Sequence, residues 1–419
     1  MSEERTTEAQ REEVGERGVI AYLRSPVAIR ECCGRLFNLA SAGRLRYFGC
    51  DLSRLGEVAG YVIEVMREQY PDLQVPFHSR WRHFEAGGVP RVSQLAELPL
   101  VERVRAKFDL AVVSVLLDAG AGELWQYCET GTDKVFRRSE GLAVASFWMF
   151  CQGIFSGDRG LQVDAQGLQG LTEVGLASGF QVSLENPLVG LAGRLELLQQ
   201  LGRSLLASPQ LFGSENPRPG HLVDYLLQQS NHGQLAAEQV LSAVLQGLGD
   251  IWPGRLEIAG VNLGDVWYHS ALAFEDAQPW QGGLVPFHKL SQWLTYSLLE
   301  PLQELGLEII GLDALTGLPE YRNGGLCLDL GLLQVKHPDV LQKRHSIGSE
   351  VIVEWRALTV ILLDRIAAAV REQLGMSVEE LPLVKVLQGG TWSAGRRIAA
   401  QLRSGGVPPI QIESDGTVF

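Results

Sequence analysis

The sequence predicts a mainly α protein with a few short strands. Apolar residues recur at helical spacing in most of the segments that are rich in them. Strand-like runs are confined to 326–333, 381–387 and 410–413, which is too scattered for the regular alternation of a parallel sheet. The predicted helices cover roughly 26–43, 51–70, 101–117, 141–155, 188–206, 222–228, 236–248, 288–305, 351–374 and 394–402.

The first of these helices shows how the ends are predicted. Ser25 is a favoured N-cap residue, Pro26 suits the first helical position, and Gly43 suits the end. The second helix begins at Asp51 and is ended by Pro71.

Composition and charge narrow the class of protein. The 419 residues are 46% hydrophobic and 20% charged, which is typical of a globular protein with a large core. The net charge of −13 offers no basic face for nucleic acid, and no apolar run approaches the roughly 20 residues that cross a bilayer. We therefore expect a cytoplasmic protein that acts on a small molecule, with neither nucleic acid nor membrane as partner.

The chain is expected to form one catalytic unit. Residues 1–18 are rich in Glu and Arg and predict a charged, flexible tail, with one helical unit over 19–419. The glycine-rich stretch and loop within 157–220 mark where two lobes would meet. Six scattered cysteines, with Cys32 and Cys33 adjacent, fit neither zinc-ligand spacing nor a sound disulfide and predict reduced thiols.

The densest polar and aromatic cluster is FHSRWRHFE at 77–85. Its rings and charges could hold a planar or anionic ligand by stacking and bidentate hydrogen bonds. The alternative is a loop whose arginines pair with acidic helices while its rings fill the core. The two histidines are five residues apart, unlike zinc-binding HExxH, so no metal site is expected. The candidate binding residues are His78, Arg80, Trp81, Arg82, His83 and Glu85.

A second cluster, DALTGLPEYRNGG at 313–325, predicts a shaped turn. Such a turn can present Asp313 and Glu320 to one point, which suits a site that grips sugar hydroxyls and stabilises positive charge on the anomeric carbon. Tyr321 and Arg322 are the adjacent binding candidates. Alternatively, Asp313 caps a helical turn and Glu320 pairs with Arg322.

A third group lies at the start of the predicted helix 351–374. Glu354 and Arg356 could support the turn from behind, and Trp355 could line a pocket, although charges on a helix surface are often only solvated. The sequence GGTWS near 391 lacks the lysine of a P-loop, and no GxSxG, GxGxxG, HExxH or CxxC motif occurs. We therefore expect no cofactor and no metal.

Four segments carry a resemblance to a known family. They are FHSRWRHFEAGG (77–88), PFHKLSQWLTYSLLEPL (286–302), LTGLPEYRNGGL (315–326) and VEWRALTVILLDRIA (353–367). With them, nearly the whole chain resembles the uracil catabolism protein four family. The resemblance implies a role in a ring-opening route of uracil degradation that passes through ribosylurea, and association with other enzymes of that route.

Two segments are also similar to the queuosine nucleosidase family, namely DALTGLPEYR (313–322) and VEWRALTV (353–360). That family has an aspartate-tyrosine-arginine turn and a valine-glutamate-isoleucine-arginine helix. Glu320 stands where it has aspartate, and Trp355 where it has isoleucine. The likeness implies a helical fold related to helix-hairpin-helix glycosylases.

The resulting hypothesis is an N-glycosidase that hydrolyses the ribosyl-nitrogen bond of ribosylurea or its phosphate. Asp313 and Glu320 would hold ribose hydroxyls and stabilise the oxocarbenium-like transition state, one of them orienting water. Trp81 would join Tyr321 and Trp355 in lining a pocket. An arginine, Arg80, Arg82 or Arg322, would meet a phosphate or the urea carbonyl.

Two other functions are considered. Phosphoribosyl transfer normally shows a strand that ends in paired acidic residues and a threonine-glycine turn, a pattern not found in this sequence. A non-catalytic, metabolite-binding partner of the ring-opening enzyme would turn nothing over alone. The hypothesis also predicts that segments 78–85 and 313–322 meet at one concave pocket.

Overall fold

The computed structural model describes residues 15–118, 120–252, 256–273 and 282–413, and it confirms a mainly α protein. It is 59% helical and 9% strand. Residues 15–23 form a first helix, so the last four residues of the predicted tail are helical, and residues 1–14 lie outside the described residues. The longer helices that follow are Pro26–Ser41, Leu55–Gln69, Leu100–Leu116, Arg138–Cys151, Leu191–Ala207, Leu222–Gln229, Ala237–Leu248, Lys289–Glu304, Tyr321–Asp329, Glu350–Leu374 and Trp392–Leu402.

Shorter helices and turns connect these elements. The short α-helices are Arg80–Phe84, Ala165–Gln169, Glu173–Gly179, Pro209–Phe212, Ser270–Ala273, Asp339–Gln342 and Leu383–Val386. Single turns of 3₁₀ helix include Leu52–Arg54, Ala86–Gly88, Arg91–Leu95, Pro219–His221 and Leu312–Ala314, and Leu387–Thr391 is a π turn.

The strands form two-stranded pairs. The antiparallel pairs are Phe48–Cys50 with Leu333–Val335, Gln126–Cys128 with Val135–Arg137, Glu257–Ile258 with Val261–Asn262, and Val266–Tyr268 with Leu284–Pro286. The parallel pairs are Gln234–Ala236 with Glu308–Ile310, and Arg344–Ser346 with Gln411–Glu413.

The chain divides into two compact units. Of the described residues, the first unit contains 15–76, 256–273, 282–289 and 312–413, and the second contains 77–118, 120–252 and 290–311. The segment 157–220 lies within the second unit.

The core of the first unit is built around the helix Glu350–Leu374. This helix packs against Pro26–Ser41 and Leu55–Gln69, and its buried face includes Ile352, Leu358 and Leu362. The helix Tyr321–Asp329 packs against both Trp392–Leu402 and Glu350–Leu374. The long helix therefore fixes the position of the residues around 320.

The second unit has its own core. The helix Leu100–Leu116 packs against Arg138–Cys151, and both carry buried apolar side chains over most of their length. Leu191–Ala207 packs against Ala165–Gln169. The short helix Arg80–Phe84 packs against Arg138–Cys151 and Leu100–Leu116, which places its polar residues beside the core.

The predicted start of the first helix is confirmed. The Ser25 side chain accepts a hydrogen bond from the backbone N–H of Ala28 at 3.2 Å, and Pro26 stands at the first helical position. Asp51 likewise caps a turn, which leads into Leu55–Gln69.

Two of the three predicted strand regions were wrong. The helix Tyr321–Asp329 takes the first half of 326–333, where only Leu333 belongs to a strand, and 381–387 forms Leu383–Val386 and the start of the π turn. Both regions are short apolar runs that are buried on several sides, so alternation cannot distinguish strand from helix there. Only the third region, at Gln411–Glu413, is a strand.

None of the described helices is both long enough and apolar enough to cross a lipid bilayer. The six cysteines are free, and Cys32, Cys33 and Cys327 are buried.

Candidate active site

The turn that carries the two predicted catalytic carboxylates exposes one of them and buries the other. Asp313 is exposed in the 3₁₀ turn Leu312–Ala314, whereas Glu320 is only 8% exposed. Arg30 fixes the stretch between them by donating to the carbonyl oxygens of Ala314 and Leu315, at 2.7 Å and 2.6 Å. The two carboxylates are therefore in different environments.

Glu320 is held by backbone amides. Its two oxygens accept hydrogen bonds from the backbone N–H groups of Arg322 at 2.6 Å and Asn323 at 2.7 Å, so it caps the helix Tyr321–Asp329. The alternative for 313–325 predicted that Asp313 caps a helical turn. In the structure it is Glu320 that caps the helix Tyr321–Asp329. Burial raises the pKa of Glu320, while these two amides and the charges of Lys289 and Arg322 act in the opposite direction.

The other residues of the helix Tyr321–Asp329 fix its orientation. The guanidinium of Arg322 donates to the carbonyl oxygen of Gly406 at 2.7 Å and lies 4.9 Å from the centre of the half-buried Tyr321 ring. Gly324 lies against the Trp355 ring, where a Cβ atom would come within 2.7 Å of it. The sequence predicted a non-helical turn through 325, but 321–325 are helical, and residue 324 is glycine because Trp355 leaves no room for a side chain.

Asp265, which the sequence analysis did not select, is the centre of a hydrogen-bond network. Arg356 binds it in bidentate fashion, with both distances 2.7 Å, and Trp267 Nε1 donates to it at 2.6 Å. Arg356 also approaches the carbonyl oxygen of Pro319, at 3.4 Å. This ion pair therefore connects the turn before Glu320 with the segment that contains Asp265. The positive charge of Arg356 lowers the pKa of Asp265 against the effect of burial.

The same aspartate positions Lys289. Its side chain accepts from the backbone N–H of Lys289 at 3.0 Å, and its carbonyl oxygen accepts from that of Phe287 at 2.9 Å. Between them, His288 has a positive φ of 47°, an uncommon conformation for a residue other than glycine. The Phe287 ring lies 4.1 Å from the guanidinium carbon of Arg356. The turn 287–289 is thus held in one arrangement, with the Lys289 charge acting on Glu320.

Glu354 has a structural environment. One oxygen accepts from the backbone N–H groups of Tyr47 and Phe48, at 3.1 Å and 3.2 Å, and the other lies 3.4 Å from His269 Nε2. His269 Nδ1 accepts from the Ala271 N–H at 3.2 Å, so its proton is assigned to Nε2, facing Glu354. Glu354 therefore joins the long helix to the strand at 48–50.

The predicted binding residues of segment 78–85 lie in the second unit, and most are buried. Arg80 is fully buried, and its Nη1 atom lies 3.1 Å from Asp118 Oδ1. Trp81 donates from its indole nitrogen to the Ser297 carbonyl oxygen at 2.7 Å. Arg82 pairs with Glu300 at 2.8 Å. The rings of this segment therefore fill the core and its arginines pair with carboxylates, as the alternative for 77–85 predicted. Arg80 in addition places a buried positive charge there.

The two histidines of this segment lie at one tryptophan. The ring of His78 stacks on that of Trp293 with centroids 6.4 Å apart, and the ring of His83 meets it edge-on at 5.8 Å. Glu85 is exposed at the end of the short helix. Over the described ranges, no three His, Cys, Asp or Glu side chains lie together as metal ligands would.

The structure thus divides the predicted residues between the two units. The first unit holds Asp313, Glu320, Tyr321, Arg322, Glu354, Trp355 and Arg356, and the second holds His78, Arg80, Trp81, Arg82, His83 and Glu85. A shared pocket for the two segments stays a prediction. Sequence reasoning missed Asp265, Lys289 and Asp118. The repeated Val-Pro-Phe-His at 75–78 and 285–288 was the one signal that pointed near Lys289.

Comparison with known proteins adds the family. The model of the family described as "Protein of unknown function (DUF1688)" matches residues 22–419. The chain is 41% identical over 414 residues to "Protein urg3" of Schizosaccharomyces pombe, covering 96% of this chain and 99% of that protein. It is 39% identical over 437 residues to "Uracil catabolism protein 4" of Lachancea kluyveri, again covering 96% and 99%. These matches extend over nearly the whole chain, and the protein therefore belongs to the uracil catabolism protein four family.

Proposed function

We propose that this protein acts in uracil catabolism, the process named for its Lachancea kluyveri relative, and hydrolyses the ribosyl-nitrogen bond of ribosylurea or its phosphate. The observation that carries the mechanism is Glu320, a buried carboxylate fixed by two backbone N–H groups. A charge held in this way need not reorganise during the reaction, so it stabilises a developing positive charge better than a solvated carboxylate does.

The reaction separates a sugar from urea. The bond between the anomeric carbon and nitrogen breaks, and its electron pair leaves with the nitrogen, which takes up a proton to give urea. The anomeric carbon becomes oxocarbenium-like, and water adds to it and loses a proton, so that ribose is formed. Glu320 stabilises the positive charge and orients the water.

Burial raises the pKa of Glu320, and its polar and charged neighbours act against this shift. The positive charges of Lys289 and Arg322 lower its pKa, as do the two backbone hydrogen bonds, and they oppose the effect of burial. The Arg356–Asp265 pair contributes little net charge. It contacts Pro319 through Arg356 and the backbone of Lys289 through Asp265. Tyr321 is half-buried and follows Glu320 directly, and in this proposal its ring contacts the sugar.

The decisive experiment uses the purified protein alone. It is incubated with ribosylurea, and separately with its 5′-phosphate, and the release of urea and of the sugar is measured. Equal amounts of urea and sugar are expected, without any added cofactor and equally in the presence of EDTA. A matched incubation with uracil and phosphoribosyl diphosphate tests for phosphoribosyl transfer. If diphosphate is released there and no urea is released from ribosylurea, the proposed hydrolysis is wrong.

A further inference from the structure

Among the buried polar atoms of the second unit that lack a hydrogen-bond partner, two belong to one ion pair. They are the donor Arg80 Nη2 and the acceptor Asp118 Oδ1. The side chains are 0% and 7% exposed. Oδ1 lies 3.1 Å from Arg80 Nη1, close enough for charge attraction but without the geometry of a hydrogen bond. A buried polar atom without a partner is unfavourable, so a pair of them in one place calls for an explanation, and a bound ligand supplies one.

The rest of the Arg80 side chain is fixed. Its Nε donates to Ser114 Oγ at 2.8 Å, and its Nη1 approaches the Ser139 carbonyl oxygen at 3.3 Å and His83 Nδ1 at 3.4 Å. The Arg80 backbone N–H donates to Ser297 Oγ at 2.9 Å. Because these contacts hold the guanidinium plane, the direction of the Nη2 donors is set in advance.

The charge of the pair selects the class of ligand. The positive charge of Arg80 is balanced by Asp118, and the charge of Glu140 also acts on Arg80. Asp118 also acts on the charge of Arg194, so two carboxylates face two arginines and a phosphate brought here would gain no net attraction. A neutral ligand is therefore favoured over an anion.

The aromatic surroundings favour a flat ligand. The Trp293 ring centre lies 5.4 Å from the guanidinium carbon of Arg80, with His78 stacked on this ring. Phe84 lies 6.0 Å from the same carbon. Planar groups pack well against such faces.

We propose that the second unit binds a neutral, planar ligand with a C=O and an N–H side by side, as in a ureido group or in the imide of a pyrimidine base. The carbonyl oxygen accepts a hydrogen bond from Arg80 Nη2, and the N–H donates to Asp118 Oδ1. Both orphaned atoms are then satisfied by one functional group. This site does not depend on the hydrolytic function assigned to Glu320.

The test uses ligands that differ by one functional group. Uracil and methylurea are titrated separately into the full-length protein by calorimetry, with 1,3-dimethyluracil and inorganic phosphate as controls. Binding of uracil or methylurea is expected, and which of the two binds more tightly distinguishes the imide from the ureido source. Dimethyluracil keeps both carbonyls but has no N–H, so its binding should be weaker by at least roughly tenfold. Phosphate should not bind at this site.

Protein variants provide a second comparison. Asp118→Asn should weaken the binding of uracil or methylurea by at least roughly tenfold, because the hydrogen bond to a charged acceptor is lost. Glu129→Gln is the matched control, since it breaks the buried Arg91–Glu129 pair of the same unit and should leave binding unchanged. If Asp118→Asn does not fold, the ligand series with the unchanged protein still decides the question.

Three outcomes would overturn the proposal. The first is absence of binding by both uracil and methylurea at millimolar concentration. The second is equal binding of uracil and dimethyluracil. The third is a crystal structure, soaked with either ligand, in which the Arg80–Asp118 pair holds an ordered water only.

Discussion

The buried carboxylate of Glu320 and the buried guanidinium of Arg80 differ in how their charges are balanced and hydrogen-bonded. Glu320 has its oxygens held by backbone N–H groups, and the charges of Lys289 and Arg322 support its ionised form. Arg80 is balanced by Asp118, and the pair leaves one donor and one acceptor unmatched. The first arrangement suits the stabilisation of a charge that develops during a reaction, and the second suits recognition of a neutral group.

The largest effect is expected where the charge of Glu320 is removed without loss of its capping role. Asparagine and aspartate are both good N-cap residues and have the same size, so Glu320→Asn and Glu320→Asp differ essentially in charge. Glu320→Asn should lower kcat on ribosylurea by roughly a hundredfold or more, whereas Glu320→Asp should keep part of the activity. The loss should fall on kcat more than on KM, because the sugar is neutral in the ground state.

The comparison of the two variants separates chemistry from structure. Thermal unfolding of both is measured beside the kinetics, and similar midpoints are expected. Equal loss of activity in Glu320→Asn and Glu320→Asp, with equal loss of stability, would mean that Glu320 only caps its helix.

A smaller effect is expected from the ion pair behind the site. Asp265→Asn removes the charge that holds Arg356 and loosens the turn that carries Lys289. We expect kcat to fall by roughly tenfold, since small displacements of catalytic groups are costly. The control is Asp329→Asn, which breaks the Arg403–Asp329 pair on the helix that Glu320 caps.

The pH profile makes this test specific. Burial raises the pKa of Glu320 and Lys289 lowers it, and activity requires the ionised form. Activity is therefore lost as the pH falls through this pKa. When Lys289 is displaced in Asp265→Asn, the pKa rises, so the acid limb of kcat/KM should move to higher pH. Asp329→Asn should destabilise the protein without moving this limb, and a common shift in both variants would contradict the positioning role of Asp265.

The two clusters also show what the sequence could and could not predict. The helix starting after Ser25 was readable, because capping residues have local signals. The catalytic role of Glu320 stays a prediction, and its capping of Tyr321–Asp329 was not foreseen. Asp265 was not readable, since its partner Arg356 is 91 residues away and only the fold brings the two together. Asp118 follows an apolar helix and has the local pattern of an exposed C-terminal residue, although the fold buries it against Arg80.

The smallest effect is expected at Asp313, the second carboxylate that the sequence assigned to catalysis. Its side chain is exposed, and a unit charge about 4 Å away in water contributes only about 1 kcal/mol. Asp313→Asn should therefore lower kcat by no more than roughly fivefold, and added salt should reduce even that difference. Asp72→Asn, at another exposed site of the same unit, controls for the loss of one surface charge.

A hundredfold loss in Asp313→Asn alone, insensitive to salt, would mean that bound substrate shields Asp313 from water. Both carboxylates would then act on the sugar, and the contrast between an active Glu320 and a solvated Asp313 would no longer hold.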